Sequence, residues 1–216
     1  MIHIVDDNAA TRTAVERLLR AAGYKTQTFK LAAEFLEAQS GPAAEAAVLD
    51  VAMPGMNGLE LQKTLALAGN PVPIIFLTCH ATIPVTVEAM KAGAVDFLTK
   101  PVEKNELLKA IKTAIERGAR EREARAEQRE LKDLVAGLTP REQDVFGLVV
   151  RGMMNKHIAE TLGTGMQNIK IHRSNVMFKM QAESLAELVI KAERLRVTGQ
   201  GLSVMRPRPE SRMLAP

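Results

Sequence analysis

Residues 73–101 read PIIFLTCHATIPVTVEAMKAGAVDFLTKP, and the order of their apolar runs decides the fold. Pro73–Thr78 is a short, continuous apolar run rich in branched and aromatic residues, the pattern of a buried strand. Ile83–Ala92 spaces its apolar residues as a helix does, and Val95–Thr99 is a second strand, closed by Lys100 and Pro101. A strand, a helix and a strand in this order make a βαβ unit with parallel strands. The alternation repeats outward. Upstream lie IHIV at 2–5, an amphipathic run over 9–22, a strand over 24–29, a helix over 31–38 and AAVLD at 46–50. Downstream, a helix from Glu103 puts Leu107, Leu108, Ile111 and Ile115 on one face. Residues 1–117 therefore read as an α/β domain with five strands and five helices. A doubly wound five-stranded parallel sheet, covered on both faces, gathers its functional residues at the carboxyl ends of its strands.

The remaining chain changes character. Residues 118–133, GAREREARAEQRELKD, hold good helix formers and close opposite charges, so 118–137 is expected to be a helical linker. As a solvated extension it has no role of its own, and as a rigid arm it helps two chains pair; the residues fit both. From Leu138 to Thr198 strand signals vanish and helical spacings take over, which predicts a small all-α domain of four helices. Thr139 and Pro140 read as an N-cap and first helical residue, and Val145, Leu148 and Val149 as the buried stripe behind them. Gly163-Thr164-Gly165 breaks the next helix, a third begins near Met166, and the last runs from about Ser184 to Leu195. Residues 199–216, with three Pro and two Gly and no periodicity, are expected to be a disordered tail.

Composition narrows the classes. The 216 residues are 46% hydrophobic and 25% charged, as in ordinary globular proteins, and no apolar run approaches the roughly 20 residues of a membrane helix. The start MIHIVDDN is no export signal, and the single cysteine, Cys79, forms no internal disulfide, so the expected compartment is the cytoplasm, with no membrane partner. The net charge of +4 is unevenly spread: residues 138–198 carry 9 basic and 6 acidic side chains, whereas residues 1–117 carry 12 and 13. That leans the helical part toward a phosphate backbone.

Asp6 and Asp7 follow the first strand and Asp50 follows the third, so three carboxylates meet at neighbouring strand ends. Crowded carboxylates repel one another unless a cation joins them, and hard oxygen ligands in an open site suit Mg²⁺ better than zinc. Thr78 and Lys100 close the fourth and fifth strands and bring a hydroxyl and an ammonium to the same rim. An anionic nucleophile, a metal site and two donors are the parts that phosphoryl transfer demands. Met53 and Met56 read as loop packing, because a hard acidic site does not recruit thioether sulfur. The turn DDNAATRT contains no glycine, which excludes a Rossmann phosphate loop, and DVA at Asp50 lacks the second acid two residues on that an aspartyl-phosphate hydrolase uses.

These residues carry a family resemblance. The acidic pair in IVDDN, Asp50 in VLDVAMPGMNGLEL, Thr78 in FLTCH and Lys100-Pro101 in DFLTKPVE resemble the receiver domain of response regulators, over the first half of the chain. The resemblance implies a flavodoxin-like fold for 1–117. It implies that Asp50 accepts a phosphoryl group from a histidine kinase, and that Asp6, Asp7, Asp50 and the Ala52 carbonyl hold Mg²⁺. Lys100 would pair with the acidic cluster, Thr78 would bind the phosphoryl group, and Phe97 falls at the family's aromatic switch position. Cys79 departs from the small Gly or Ala usual there and is expected to be a buried small hydrophobe.

The helical part, LTPREQDVFGLVVRGMMNKHIAETL followed by NIKIHRSNVMFKM, resembles the LuxR-type helix-turn-helix of FixJ/NarL regulators. Ile169, Val176 and Met180 form one face of the helix after the turn, and Gln167, Lys170, Ile171 and Ser174 a separate stripe at i, i+3, i+4 and i+7. The resemblance puts Lys170, Ile171 and Ser174 at base-facing positions. It leaves Asn155, Lys156, His172, Arg173 and Lys179 for phosphate or structural roles. Gly163-Thr164-Gly165 departs from a family turn that usually ends in a Ser N-cap, and two glycines are expected to loosen it. The expected function is a transcription regulator and not an enzyme, beyond self-catalysed phosphorylation and dephosphorylation of Asp50. Phosphorylation drives homodimerisation and binding to double-stranded DNA, with RNA polymerase a further partner. The alternatives are a helical domain that binds a protein or RNA, and a DNA-binding regulator indifferent to phosphorylation.

Overall fold

The structure is a computed structural model that describes residues 1–38, 44–69 and 72–197; the tail expected at 199–216 lies outside the described residues. The chain folds as two compact units that divide between Glu123 and Ala124. In the first unit the strands β1 (Ile2–Val5), β2 (Thr26–Phe29), β3 (Ala46–Leu49), β4 (Ile74–Thr78) and β5 (Asp96–Thr99) form one sheet in the order β2-β1-β3-β4-β5. All its pairs are parallel. Helices α1 (Ala9–Ala21), α2 (Ala32–Glu37), α3 (Gly58–Leu67) and α4 (Ile83–Lys91) alternate with the strands, and α5 (Lys104–Ala136) follows the last.

Successive strand residues point to opposite faces, and the core divides accordingly. Ile2, Ile4, Ala46, Val48, Ile75 and Leu77 pack with Val15 and Leu19 of α1 and Leu107, Ile111 and Ala114 of α5. Val5, Ala47, Leu49, Ile74 and Phe76 pack on the other side with Phe35 of α2, Leu61 and Leu65 of α3 and Ala89 of α4. Burial on both faces explains why β3 and β4 read as near-continuous apolar runs rather than alternating ones, and in β1 only the buried His3 interrupts the pattern. The order of strands reverses between β1 and β3, and at such a switch point the loops diverge and leave a crevice.

Sequence signals set the helix starts. Asn8 caps α1 by accepting from the Ala10 and Thr11 amides, and Asn57 caps α3 in a reciprocal pair with Glu60. Gly58 opens α3 so close to the third strand that a Cβ there would lie 2.2 Å from the Asp50 carbonyl oxygen. Residues 118–136 are helix, continuous with the segment that packs on the sheet.

In the second unit α6 (Pro140–Val149), α7 (Asn155–Thr161), α8 (Met166–Lys179) and α9 (Leu185–Val197) surround Phe146, Val145, Ile158, Ile169, Val176, Met180 and Leu188. The last helix starts one residue later and ends two residues further on than the spacing indicates. Thr139 and Glu142 form the N-terminal box of α6 that Thr139-Pro140 foreshadows. Between α7 and α8, Gly163 has φ +60°, the left-handed conformation that ends a helix, so this glycine is required rather than slack. Gly165 stands at the N-cap of α8 with no side chain to cap it.

Candidate functional site

Asp6 and Asp50 are brought side by side by the β1–β3 pairing, in which Val5 lies opposite Leu49 and the Asp50 amide donates to the Val5 carbonyl at 2.8 Å. Asp7 completes the group: one carboxylate oxygen from each of Asp6, Asp7 and Asp50 lies within 4.8 Å of the others. Asp6 is 3% exposed and Asp50 7%. Their burial is offset by Lys100, whose Nζ donates to Asp6 Oδ2 at 2.7 Å and to Asp50 Oδ2 at 2.9 Å. Burial works against the Lys100 ammonium, but the hydrogen bonds and charges of the two carboxylates outweigh it and raise its pKa above the ordinary lysine value. One ammonium against three carboxylates leaves an excess of negative charge on hard oxygen donors, a donor set that fits Mg²⁺.

The other predicted residues sit around this centre. Ala52 is exposed just beyond Asp50, and its amide faces Asp50 Oδ1 at 3.4 Å. Thr78 is fully buried at the end of β4 and accepts from the His80 amide at 3.1 Å. Lys100 is placed beside it by β5, with its amide donating to the Thr78 carbonyl. Phe97 is half-buried, its ring centroid 5.8 Å from that of Phe76. Met53 and Met56 pack into the core, as their chemistry requires. Cys79 corrects an expectation: it is exposed, not buried, because it follows the last residue of β4 and stands beyond the sheet's covering layers. It helps line an apolar recess of about 490 Å³ with Ala14 and Leu18 of α1, Lys100, Pro101 and Val102.

Two contributors carried no signal strong enough to single out. Arg12 Nη1 donates to the backbone carbonyls of Asp6 and Asp7 at 2.7 and 3.0 Å, bracing the acidic loop. Asn8 donates its amide to Asp6 Oδ1 at 2.9 Å while capping α1. For Asn8 the signal that could have found it is an Asn directly before a helical run; the Arg12 contact leaves none, since it reaches main-chain atoms.

In the second unit Ile169 and Val176 of α8 and Met180 at its C-cap are fully buried, and Gln167, Lys170, Ile171 and Ser174 are exposed along the opposite face. Lys156 is exposed on α7. Asn155, Arg173 and Lys179 are committed within the unit. Arg173 Nη1 donates to Asn155 Oδ1 at 3.0 Å, and Lys179 Nζ to Glu142 Oε2 at 2.7 Å. Glu142 is 3% exposed and also accepts from the Thr139 amide; the Lys179 and Thr139 hydrogen bonds hold its pKa down to about 2. The structural role left open for Arg173 and Lys179 is thus the one their contacts fill.

Residues 2–112 match the response regulator receiver domain, and residues 136–192 match the luxR family of bacterial regulatory proteins. Nodulation protein W of Bradyrhizobium diazoefficiens is 42% identical over 198 residues, 92% of this chain and 87% of that protein. The chain belongs to the response-regulator family. This response regulator is also 41% identical to the transcriptional regulatory protein FixJ of the same organism, over 89% of its own length and 94% of FixJ. Its structure is similar to that of the response regulator StyR, with a TM-score of 0.80 and 44% identity, covering 89% of this chain and 98% of StyR. It is a two-component response regulator with a receiver domain and a LuxR-type DNA-binding domain. Among its described residues no helix is long and apolar enough to cross a membrane.

Proposed function

We propose that this response regulator takes a phosphoryl group from a histidine kinase onto Asp50, dimerises through the receiver, and binds paired DNA half-sites to regulate transcription in the cytoplasm. The observation that carries the proposal is the convergence of Asp6, Asp7, Asp50 and Lys100 at the β1/β3 switch point. In the transfer an Asp50 carboxylate oxygen forms the new O–P bond as the P–N bond to the donor histidine breaks. The bonding electrons stay on the imidazole nitrogen, so Asp50 gains the phosphoryl group and no oxidant or reductant is consumed. Asp6, Asp7, Asp50 and the Ala52 carbonyl would hold Mg²⁺, which supplies positive charge against the anions that approach each other there. Lys100 fixes the orientation of Asp50 and neutralises part of the cluster, and the Thr78 hydroxyl, at the end of β4, would donate to the phosphoryl oxygens. The protein acts as a switch and not as an enzyme, apart from chemistry on its own Asp50.

The readout is a population shift. Added charge at Asp50 draws on Thr78 and Phe97, next to α4, where Ile83, Val87 and Met90 are exposed. Moving such an equilibrium from 1:99 to 99:1 takes about 5.5 kcal/mol of differential stabilisation, shared among acyl phosphate, metal and dimer contacts. Analytical ultracentrifugation with and without beryllofluoride and Mg²⁺, in a mixed pool of duplex DNA, tests the proposal. A shift to dimer with selective duplex capture, absent in Asp50→Asn, is the expected result. Dimerisation that Asp50→Asn leaves unchanged would sink the phosphorylation switch, and a dimer that captures no duplex would favour a protein or RNA partner.

A further inference from the structure

Four of the six phenylalanines, Phe29, Phe35, Phe76 and Phe146, are buried in the cores, and Phe97 is half-buried against Phe76. Phe178 is 85% exposed, on α8. Its place on that helix is specific. At about 100° per residue, Phe178 lies about 20° from Gln167 around the axis, between Ser174 and Ile171, and half a turn from the buried Ile169, Val176 and Met180. The exposed stripe therefore does not stop at Ser174. It continues for one more turn and ends in a phenyl ring, beside a residue, Lys179, that the Glu142 ion pair ties down.

A residue that faced only water would gain nothing from a phenyl ring, and one that faced phosphate would be served by a lysine or arginine. The apolar group presented by base edges in the major groove is the C5 methyl of thymine, and a phenyl ring is among the side chains that pack on it. We infer that Phe178 is a specificity-determining residue of this interface, making an apolar contact with a thymine methyl; the inference rests on the DNA-binding reading of α8. Ile171, 52% exposed on the same stripe, lies seven residues away, about 10.5 Å along the axis. At about 3.4 Å per base pair, the Phe178 thymine lies at most about three base pairs from the base under Ile171, and nearer as the helix inclines to the duplex axis.

The test uses the full chain with beryllofluoride and Mg²⁺. Bound sequences are selected from a randomised duplex pool, and each thymine of the selected site is then replaced singly by deoxyuridine, which removes only the methyl. One replacement is expected to weaken the wild type about fourfold, the worth of one buried methyl-sized group. Phe178→Ala should bind the thymine duplex weaker by a similar factor and be indifferent to that replacement, while Phe178→Leu recovers part of the loss. An unchanged thermal melt shows that the variants fold. The inference is overturned if every deoxyuridine affects Phe178→Ala and wild type alike. It is also overturned if Phe178→Ala keeps full affinity yet loses transcription with purified polymerase, which would make the ring a protein-docking residue. Selection of no duplex by the wild type removes the DNA-binding reading itself, and this inference with it.

Discussion

Lys100 and Gly58 control Asp50 from opposite sides, one by charge and one by absence of a side chain. The Lys100 ammonium satisfies carboxylates that are nearly buried, whereas Gly58 lets the start of α3 approach the Asp50 backbone. Replacing Gly58 by alanine forces a Cβ onto a main-chain oxygen, which cannot rotate away as a flexible side chain would. Gly58→Ala is expected to lower the stability of the receiver by about 1–3 kcal/mol in urea unfolding and to slow phosphorylation by a small-molecule donor, through displacement of Asp50. A variant that matched the wild type in both would show that α3 yields without moving Asp50. Asp6, Asp7, Asp50, Thr78 and Lys100 were legible because strand ends can be read from apolar runs, and five polar groups at four strand ends point to one site. Gly58 and Arg12 were not, since both act on main-chain oxygens, and such contacts leave no periodic trace in a sequence. Cys79 was misread for a related reason: the run that precedes it is buried, and only the position of the strand end shows that it stands outside.

At the scale of elements, α8 is held near its middle and at its C-terminal end by polar contacts to other helices. Arg173 reaches Asn155 of α7, and Lys179 reaches Glu142 of α6, whose carboxylate also closes the α6 cap. Glu142 is ordinarily half-protonated near pH 4.5 and here near pH 2. Its folded-state pKa is depressed, so its contribution to stability is fully present above about pH 4.5 and is lost as the pH falls toward 2. Lys179→Ala should reduce the stability of the helical unit by about 1–3 kcal/mol and flatten this acid limb, as followed by helix content across a pH titration. Its effect on DNA affinity should leave the salt dependence unchanged, because a lysine engaged with Glu142 releases no phosphate counterions. A decrease of about one in the slope would instead place Lys179 on the backbone of the DNA. The helices themselves were readable from 3.6-residue spacing and their caps. The conformation of the α7–α8 turn was not, since Gly163 is needed for a left-handed backbone whereas Gly165 simply leaves a cap unfilled, and two glycines look alike in sequence.

For the whole molecule, the two units were foreshadowed by the change from alternating strands and helices to helices alone, and by the charged stretch between. The good helix formers and close opposite charges of this stretch pointed to helix continuing out of the first unit, and the structure makes it one helix with the segment that covers the sheet. Helix α5 buries Leu107, Ile111 and Ala114 in one core and Leu131 near the other end, yet from 119 to 130 none of its side chains is buried. A stretch of that length has marginal helicity in water, and it is steadied here by pairs along the helix such as Arg117–Glu121 and by the Glu127–Arg194 ion pair to α9. Opening it locally exposes little apolar surface, so it is the cheapest place for a protease to find extended chain. Arg120, Arg122, Arg125 and Arg129 all lie there. Brief trypsin treatment of the native protein should therefore yield, apart from trimming in the tail expected at 199–216, two durable fragments separated within 120–129, and early cleavage inside either unit instead would show α5 to be better protected than its exposure implies. The receiver and the DNA-binding unit are thus joined by a severable helix, and one cut there would part them without unfolding either half.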